Sequence, residues 1–166
     1  MFRRPRAGLA EAECGFTLIE LMVVVLIIAT LIAIGLPTWT AARERADDAA
    51  ARSIVTDAHR ALQVVMSDDR EIRTIVAAEI ADAEPALNFV GAATDPEASD
   101  SEVSMYVDVV GNYAILSTHV HGDGCVAMRE RQGSGTEYKR VQNTATCRAA
   151  ALDVPGGWTR DWPPRS

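Results

Sequence analysis

His119, His121, Asp123 and Cys125 alternate along STHVHGDGC. Imidazole, carboxylate and thiolate are the ligands zinc prefers, and on a regular strand residues two apart share a face. Metal coordination is therefore the first chemistry to weigh. Two features argue against it. Ligands two apart on a flat strand diverge, and Gly122 and Gly124 favour a turn. A disulfide at Cys125 would also withdraw that residue from any ligand set. Ser117 and His119 offer a hydroxyl and a base, but nothing nearby in sequence orients them. The chain has no GxSxG, no HExxH and no phosphate loop. No catalysis, cofactor or metal is expected.

A different charged group is harder to dismiss. Glu20 stands near the front of GFTLIELMVVVLIIATLIAIGLP, residues Gly15–Pro37, where almost every other residue is apolar. From Phe16 to Leu36 there are 21 residues and one charge. As a helix this stretch is roughly 31 Å long, enough to cross the hydrocarbon core of a bilayer. Arg3, Arg4 and Arg6 precede it, which puts the N-terminus in the cytoplasm and the rest outside. A secretory signal peptide has a shorter apolar core and a small-residue cleavage site. Here the uncharged run Leu21–Leu36 already has 16 residues, and Thr40-Ala41-Ala42 is a mediocre site. A plain signal anchor on a binding domain or enzyme is the alternative of another class. Neither needs Glu20.

Gly15-Phe16-Thr17-Leu18-Ile19-Glu20-Leu21, followed by the apolar run and Pro37, resembles the N-terminal processing signal of type IV pilins and pseudopilins. That resemblance implies cleavage of the Gly15–Phe16 bond by a prepilin peptidase, which also methylates the new amine on Phe16. Glu13-Cys14 stands where a basic residue often precedes the Gly. It implies further that Glu20 pairs with the Phe16 amine of a neighbouring subunit in a filament. A buried charge persists when paired and is costly alone, and an acid in the first turn also suits the helix macrodipole. Gly35 and Pro37 carry two readings. Proline removes a backbone donor, and in filaments of this kind the helix loosens near such a pair; alternatively the helix simply ends at the membrane surface.

Beyond the membrane, Ala51, Ile54, Val55, Ala58, Leu62 and Val65 recur at spacings of three and four, which predicts a continued amphipathic helix over 38–66. Asp68 and Glu71 resemble a capping box opening a second helix, with Ile72, Ile75, Val76 and Ile80 on one side and Pro85 ending it. Residues 91–101 read as an acidic surface loop. Four strands are expected at Val103–Val110, Tyr113–Thr118, Gly124–Arg131 and Thr136–Val141, with turns at Gly111-Asn112 and Gly133–Gly135. The tail after Cys147 shows little periodicity, and Trp158, Trp162 and Pro163-Pro164 suggest an irregular, aromatic-pinned segment.

The fold class expected is α+β and pilin-like: a long N-terminal helix, half transmembrane and half amphipathic, packed on a C-terminal antiparallel sheet of about four strands. Residues 1–15 are the expected leader, 16–37 the transmembrane and assembly helix, and 38–166 the extracytoplasmic domain, with a connecting region over 67–102 and the sheet and C-terminal loop over 103–166. Cys14 precedes the apolar run, which leaves Cys125 and Cys147 to pair in an oxidising compartment. The alternative is two free buried thiols. The resemblance favours a Cys125–Cys147 bridge, which would contribute roughly 3 kcal/mol. It would also allow a calcium site near the C-terminus, but Asp153 and Asp161 are too isolated to supply clustered oxygens.

Charge sets the partners. The formal net charge is −7, with 6 basic against 16 acidic residues over 38–124 and 7 basic against 4 acidic over 125–166. An acidic chain is a poor general nucleic-acid binder. Opposite charges at two ends suit head-to-tail packing of copies, although a mixed solvated surface reads the same way. The implied partners are the prepilin peptidase and N-methyltransferase, cytoplasmic-membrane lipid, an inner-membrane assembly platform, and copies of the chain or other pilins. The implied location is a single-pass inner-membrane subunit that later joins an extracellular or periplasmic filament. A type II secretion pseudopilin and a minor pilin for DNA uptake or adhesion are rival readings within the family.

Overall fold

The computed structural model describes residues 16–67, 70–97, 101–120 and 124–162. The chain divides into two units, one reaching to Ala41 and one from Ala42 onward. Helix α1, Leu18–Met66, has 49 residues and contributes to both.

In the first unit, α1 presents apolar side chains all round. Leu18, Ile19, Leu21, Met22, Leu26, Leu31, Ile34, Leu36 and Trp39 are all exposed. The helix is long and apolar enough to cross a membrane, and its apolar stretch is not buried against the described chain. A helix apolar on every face needs lipid or other helices around it.

In the second unit, one stripe of α1 is covered. Ala51, Val55, Ala58, Ala61 and Leu62 are buried, with Ile54 and Val65 packed at the margin. Burying Val55 and Leu62 fully is worth about 1.5–3 kcal/mol each. His59 is buried in the same stripe, a residue the periodicity did not mark. A 3-10 turn, Ile72–Thr74, and helix α2, Ala77–Ala83, follow. They replace the single expected helix: Ile75 and Val76 are extended, so α2 starts five residues later than Ile72, and Val76 is exposed. Its first turn is capped from Glu79, whose carboxylate accepts the Val76 N–H at 3.1 Å. Asp68 lies outside the described residues.

The sheet has five strands in sequence order: β1 Asn88–Gly91, β2 Glu102–Asp108, β3 Tyr113–His119, β4 Cys125–Arg131 and β5 Gly135–Val141. The β2–β5 meander is antiparallel, as expected, while β1 adds a parallel fifth strand beside β2. β2 stops at Asp108 rather than Val110, because its carboxylate turns back to accept the Gly111 N–H at 2.5 Å. Asn112 then takes a positive φ of 51° and closes the hairpin.

Both faces of β3 are covered, which is why six of its seven residues are buried. On one face Met105, Leu116 and Met128 share a register row, and the clusters there include Ala58 and Leu62 or Ala51 and Val55 of α1. On the other, Tyr113, Ile115, Cys125 and Ala127 pack with Cys147, Ala149 and Leu152. The last two belong to a short helix, α3, Ala149–Leu152, within the segment expected to be irregular. Tyr138 and Thr159 exchange backbone hydrogen bonds of 2.7 and 2.9 Å, so the tail adds a bridge to the outer edge of β5. Trp162 stacks on Tyr138 with ring centroids 4.5 Å apart.

Candidate processing and assembly segment

The N-terminus of α1 is built by a reciprocal cap. The Thr17 hydroxyl donates to Glu20 Oε2 at 2.6 Å, and the Thr17 N–H donates to the same oxygen at 3.0 Å. In return the Glu20 N–H donates to Thr17 Oγ1 at 3.3 Å. This is a Thr-x-x-Glu capping box, satisfying donors that a helix end otherwise leaves orphaned. Sequence reasoning named Glu20 and passed over Thr17, although the T-x-x-E spacing was legible. Both bonds reach Oε2, and Oε1 takes neither. Phe16, 88 % exposed, precedes the cap, and Gly15 lies outside the described residues.

Gly35 and Pro37 lie inside α1, so neither ends it. Proline lacks the N–H that would reach the carbonyl of Ala33. Beside it, the Thr38 hydroxyl donates to the Gly35 carbonyl at 2.8 Å, and the Thr40 hydroxyl donates to Pro37 at 3.0 Å. Side-chain donors thus cluster where the backbone ladder loses one. Among the described residues, a Cβ added at Gly35 would meet nothing within 4 Å beyond its chain neighbours and the backbone of its own helix turn.

Residues 12–36 match the family model described as the prokaryotic N-terminal methylation motif. The chain carries the type IV pilin and pseudopilin signature. Neither the curated proteins nor the solved structures yield a match to it. The signature is that of structural subunits, and it implies processing by a prepilin peptidase and assembly into pilus-like filaments. The α+β arrangement of this pilin-like chain, an apolar N-terminal helix whose continuation packs on a sheet, accords with it.

The other sequence candidates fall elsewhere. Cys125 and Cys147 form a disulfide with Cα atoms 5.4 Å apart, and both are fully buried. His121 and Asp123 lie outside the described residues. His119 sits beside the bridge, with Nδ1 3.1 Å from Cys147 Sγ and Nε2 3.1 Å from Asp95 Oδ1. Ser117 is buried and donates to the Cys147 carbonyl at 2.6 Å, a structural use of the hydroxyl.

The basic C-terminal region spends much of its charge internally. Arg129 donates twice to Glu137 Oε2, at 2.9 and 2.6 Å, and lies 4.3 Å from the Trp158 ring centroid. Arg140 pairs with Asp48 of α1. Arg131 stacks over Tyr113 at 4.7 Å. Lys139 is buried over Trp158, and burial, with Arg129's charge added, pulls its pKa down against the opposing pull of Asp153. Between α1 and the sheet, His59 Nε2 meets Glu130 Oε2 at 2.9 Å, and the Thr136 hydroxyl donates to the same oxygen at 2.6 Å. Burial alone would raise the Glu130 pKa; the hydrogen bonds from His59 and Thr136, with His59's charge, outweigh it and leave it below the ordinary value.

Proposed function

We propose that the chain is a prepilin, a structural subunit cut between Gly15 and Phe16, methylated on the Phe16 amine, and assembled into a type IV pilus-like filament. The observation that carries this reading is the methylation motif at residues 12–36, joined to a helix apolar on every face. Residues 16–37 anchor the free subunit in the cytoplasmic membrane and then become the filament's helical core. Residues 38–166 form the extracytoplasmic part, which coats the outside.

Assembly follows from the electrostatics of the first turn. In the free subunit Thr17 holds Glu20 through Oε2. Both Thr17 donors engage that one oxygen, and on this reading a neighbour's Phe16 amine, a cation of the right charge, approaches Oε1. Pairing removes the cost of an isolated carboxylate among apolar helices. Open space around Gly35 leaves its smallness available to a neighbouring helix. Partners on this reading are the prepilin peptidase, the membrane, an assembly platform and other pilin subunits. A secretion pseudopilus uses the same interactions; a DNA-binding tip role is less well supported, because Arg129, Arg131, Lys139 and Arg140 are engaged within the chain.

The test is Glu20→Ala, expressed in the native host. Membrane insertion and the fold of the globular part should be unchanged, while the subunit disappears from sheared filaments. Wild-type incorporation of Glu20→Ala would refute the pairing.

A further inference from the structure

The disulfide has an unusual neighbour. His119 Nδ1, Cys125 Sγ and Cys147 Sγ all lie within 4.8 Å of one another. The imidazole is held from its far side, since Nε2 is 3.1 Å from Asp95 Oδ1. That same carboxylate oxygen accepts the Cys147 N–H at 2.7 Å, so one acid positions both the histidine and the cysteine backbone. A carboxylate on Nε2 fixes the proton there and turns the Nδ1 lone pair toward the sulfurs, the outer-shell arrangement of many zinc-ligating histidines.

We propose that, before the disulfide forms, His119, Cys125 and Cys147 hold a thiophilic d10 cation of the zinc class. Two thiolates and an imidazole are the donor set such an ion selects. On a zinc tetrahedron these ligand atoms stand about 3.5–3.8 Å apart, from bond lengths of about 2.3 Å to sulfur and 2.0–2.1 Å to nitrogen. His119 Nδ1 is already 3.1 Å from Cys147 Sγ, and the sulfurs need only part from bonding contact by side-chain rotation. Water fills the fourth position. Both cysteines are buried and the His119 side chain is 15 % exposed, so the ion enters as the chain folds or along the His119 edge.

The chemistry balances without an added reductant, because the chain is synthesised with free thiols. Metal uptake replaces the two thiol protons, which are released to solvent, and no electrons move. Oxidation by a disulfide-class oxidant later removes two electrons from the two sulfurs, forms the S–S bond, and expels the ion. Metal and disulfide are therefore exclusive occupants of one site. Each closes the same separation of 22 residues and ties β4 to the segment leading into α3. The inference is independent of the filament reading.

Cobalt titration of the full chain tests it, in detergent micelles, reduced and anaerobic, in a Cys14→Ser background that leaves only these two thiols. The reduced chain should show thiolate-to-cobalt charge transfer in the near ultraviolet and the visible bands of a tetrahedral centre, bleached by zinc. The oxidised chain should show neither. Cys147→Ser should abolish the signal, Asp95→Asn should weaken binding by about 10–100-fold, and His119→Ala should weaken it further. Circular dichroism of the oxidised His119→Ala chain separates a lost ligand from a lost fold. A reduced chain without charge transfer overturns the proposal. So does an oxidised chain that binds equally well, or a His119→Ala affinity equal to that of the parent.

Discussion

Replacing both bridge cysteines, Cys125→Ala with Cys147→Ala, isolates what the disulfide does for the fold. The bond joins residues separated by 22 positions. Closing a loop of that length removes about 11 cal/mol/K from the unfolded chain, or about 3.4 kcal/mol at 25 °C. Both sulfurs sit in the cluster formed by Tyr113, Ile115, Ala127, Ala149 and Leu152, so trimming them to methyls also loses buried contacts, a smaller cost of the same sign. The entropy term should therefore dominate. With a urea slope of about 2 kcal/mol per M, the midpoint should fall by about 1.7 M. Equilibrium unfolding of the full chain in micelles, with chelator present and followed by near-ultraviolet circular dichroism, reads this directly. Limited proteolysis should cut first within residues 142–162, the segment that the bridge ties down. A midpoint shift under about 0.5 M, about 1 kcal/mol on the same slope, would show that the loop is already restrained in the unfolded ensemble and that loop closure is not what the bridge contributes.

Two further outcomes concern the globular unit. Glu130 has a lowered pKa when folded, so its pairing stabilises above the ordinary carboxylate range and is lost as pH falls through the folded value. Glu130→Gln should cost about 1–3 kcal/mol at neutral pH and flatten the acid limb of stability against pH; an unchanged acid limb contradicts the assignment. Gly124 has φ +120°, and a Cβ there would stand 2.3 Å from the Val141 carbonyl oxygen. Gly124→Ala should cost at least about 1–3 kcal/mol through backbone strain and should loosen the Cys125–Val141 pair, visible as faster amide exchange at the start of β4; parent-like exchange would count against it.

Sequence periodicity carried the helix and the meander because each has a repeat tied to burial. Ala51, Val55, Ala58 and Leu62 are buried as their three-and-four spacing predicts, and β2–β5 lie within two residues of the expected strands. Strand β1 was illegible for a physical reason: four residues partner β2 in parallel across a connection, leaving neither a hairpin turn nor a long alternation to read. The break between Thr74 and Ala77 was hidden because Ile72, Ile75 and Ile80 all reach the core whether or not the backbone between them is helical. His59 was missed since its burial depends on Glu130, 71 residues away. At the N-terminus the opposite holds. Thr17 and Glu20 are three apart, so their cap was readable from local spacing alone.

One peptide bond, Gly15–Phe16, decides whether this chain is processed as a prepilin. Mass spectrometry of the N-terminal peptide, from protein isolated from its native host, reads whether that bond is cut and how the new end is modified. Prepilin processing yields a chain beginning at Phe16 with a methylated amine. A chain still carrying Met1, or one beginning near Arg43 after ordinary signal-peptide cleavage, would contradict it.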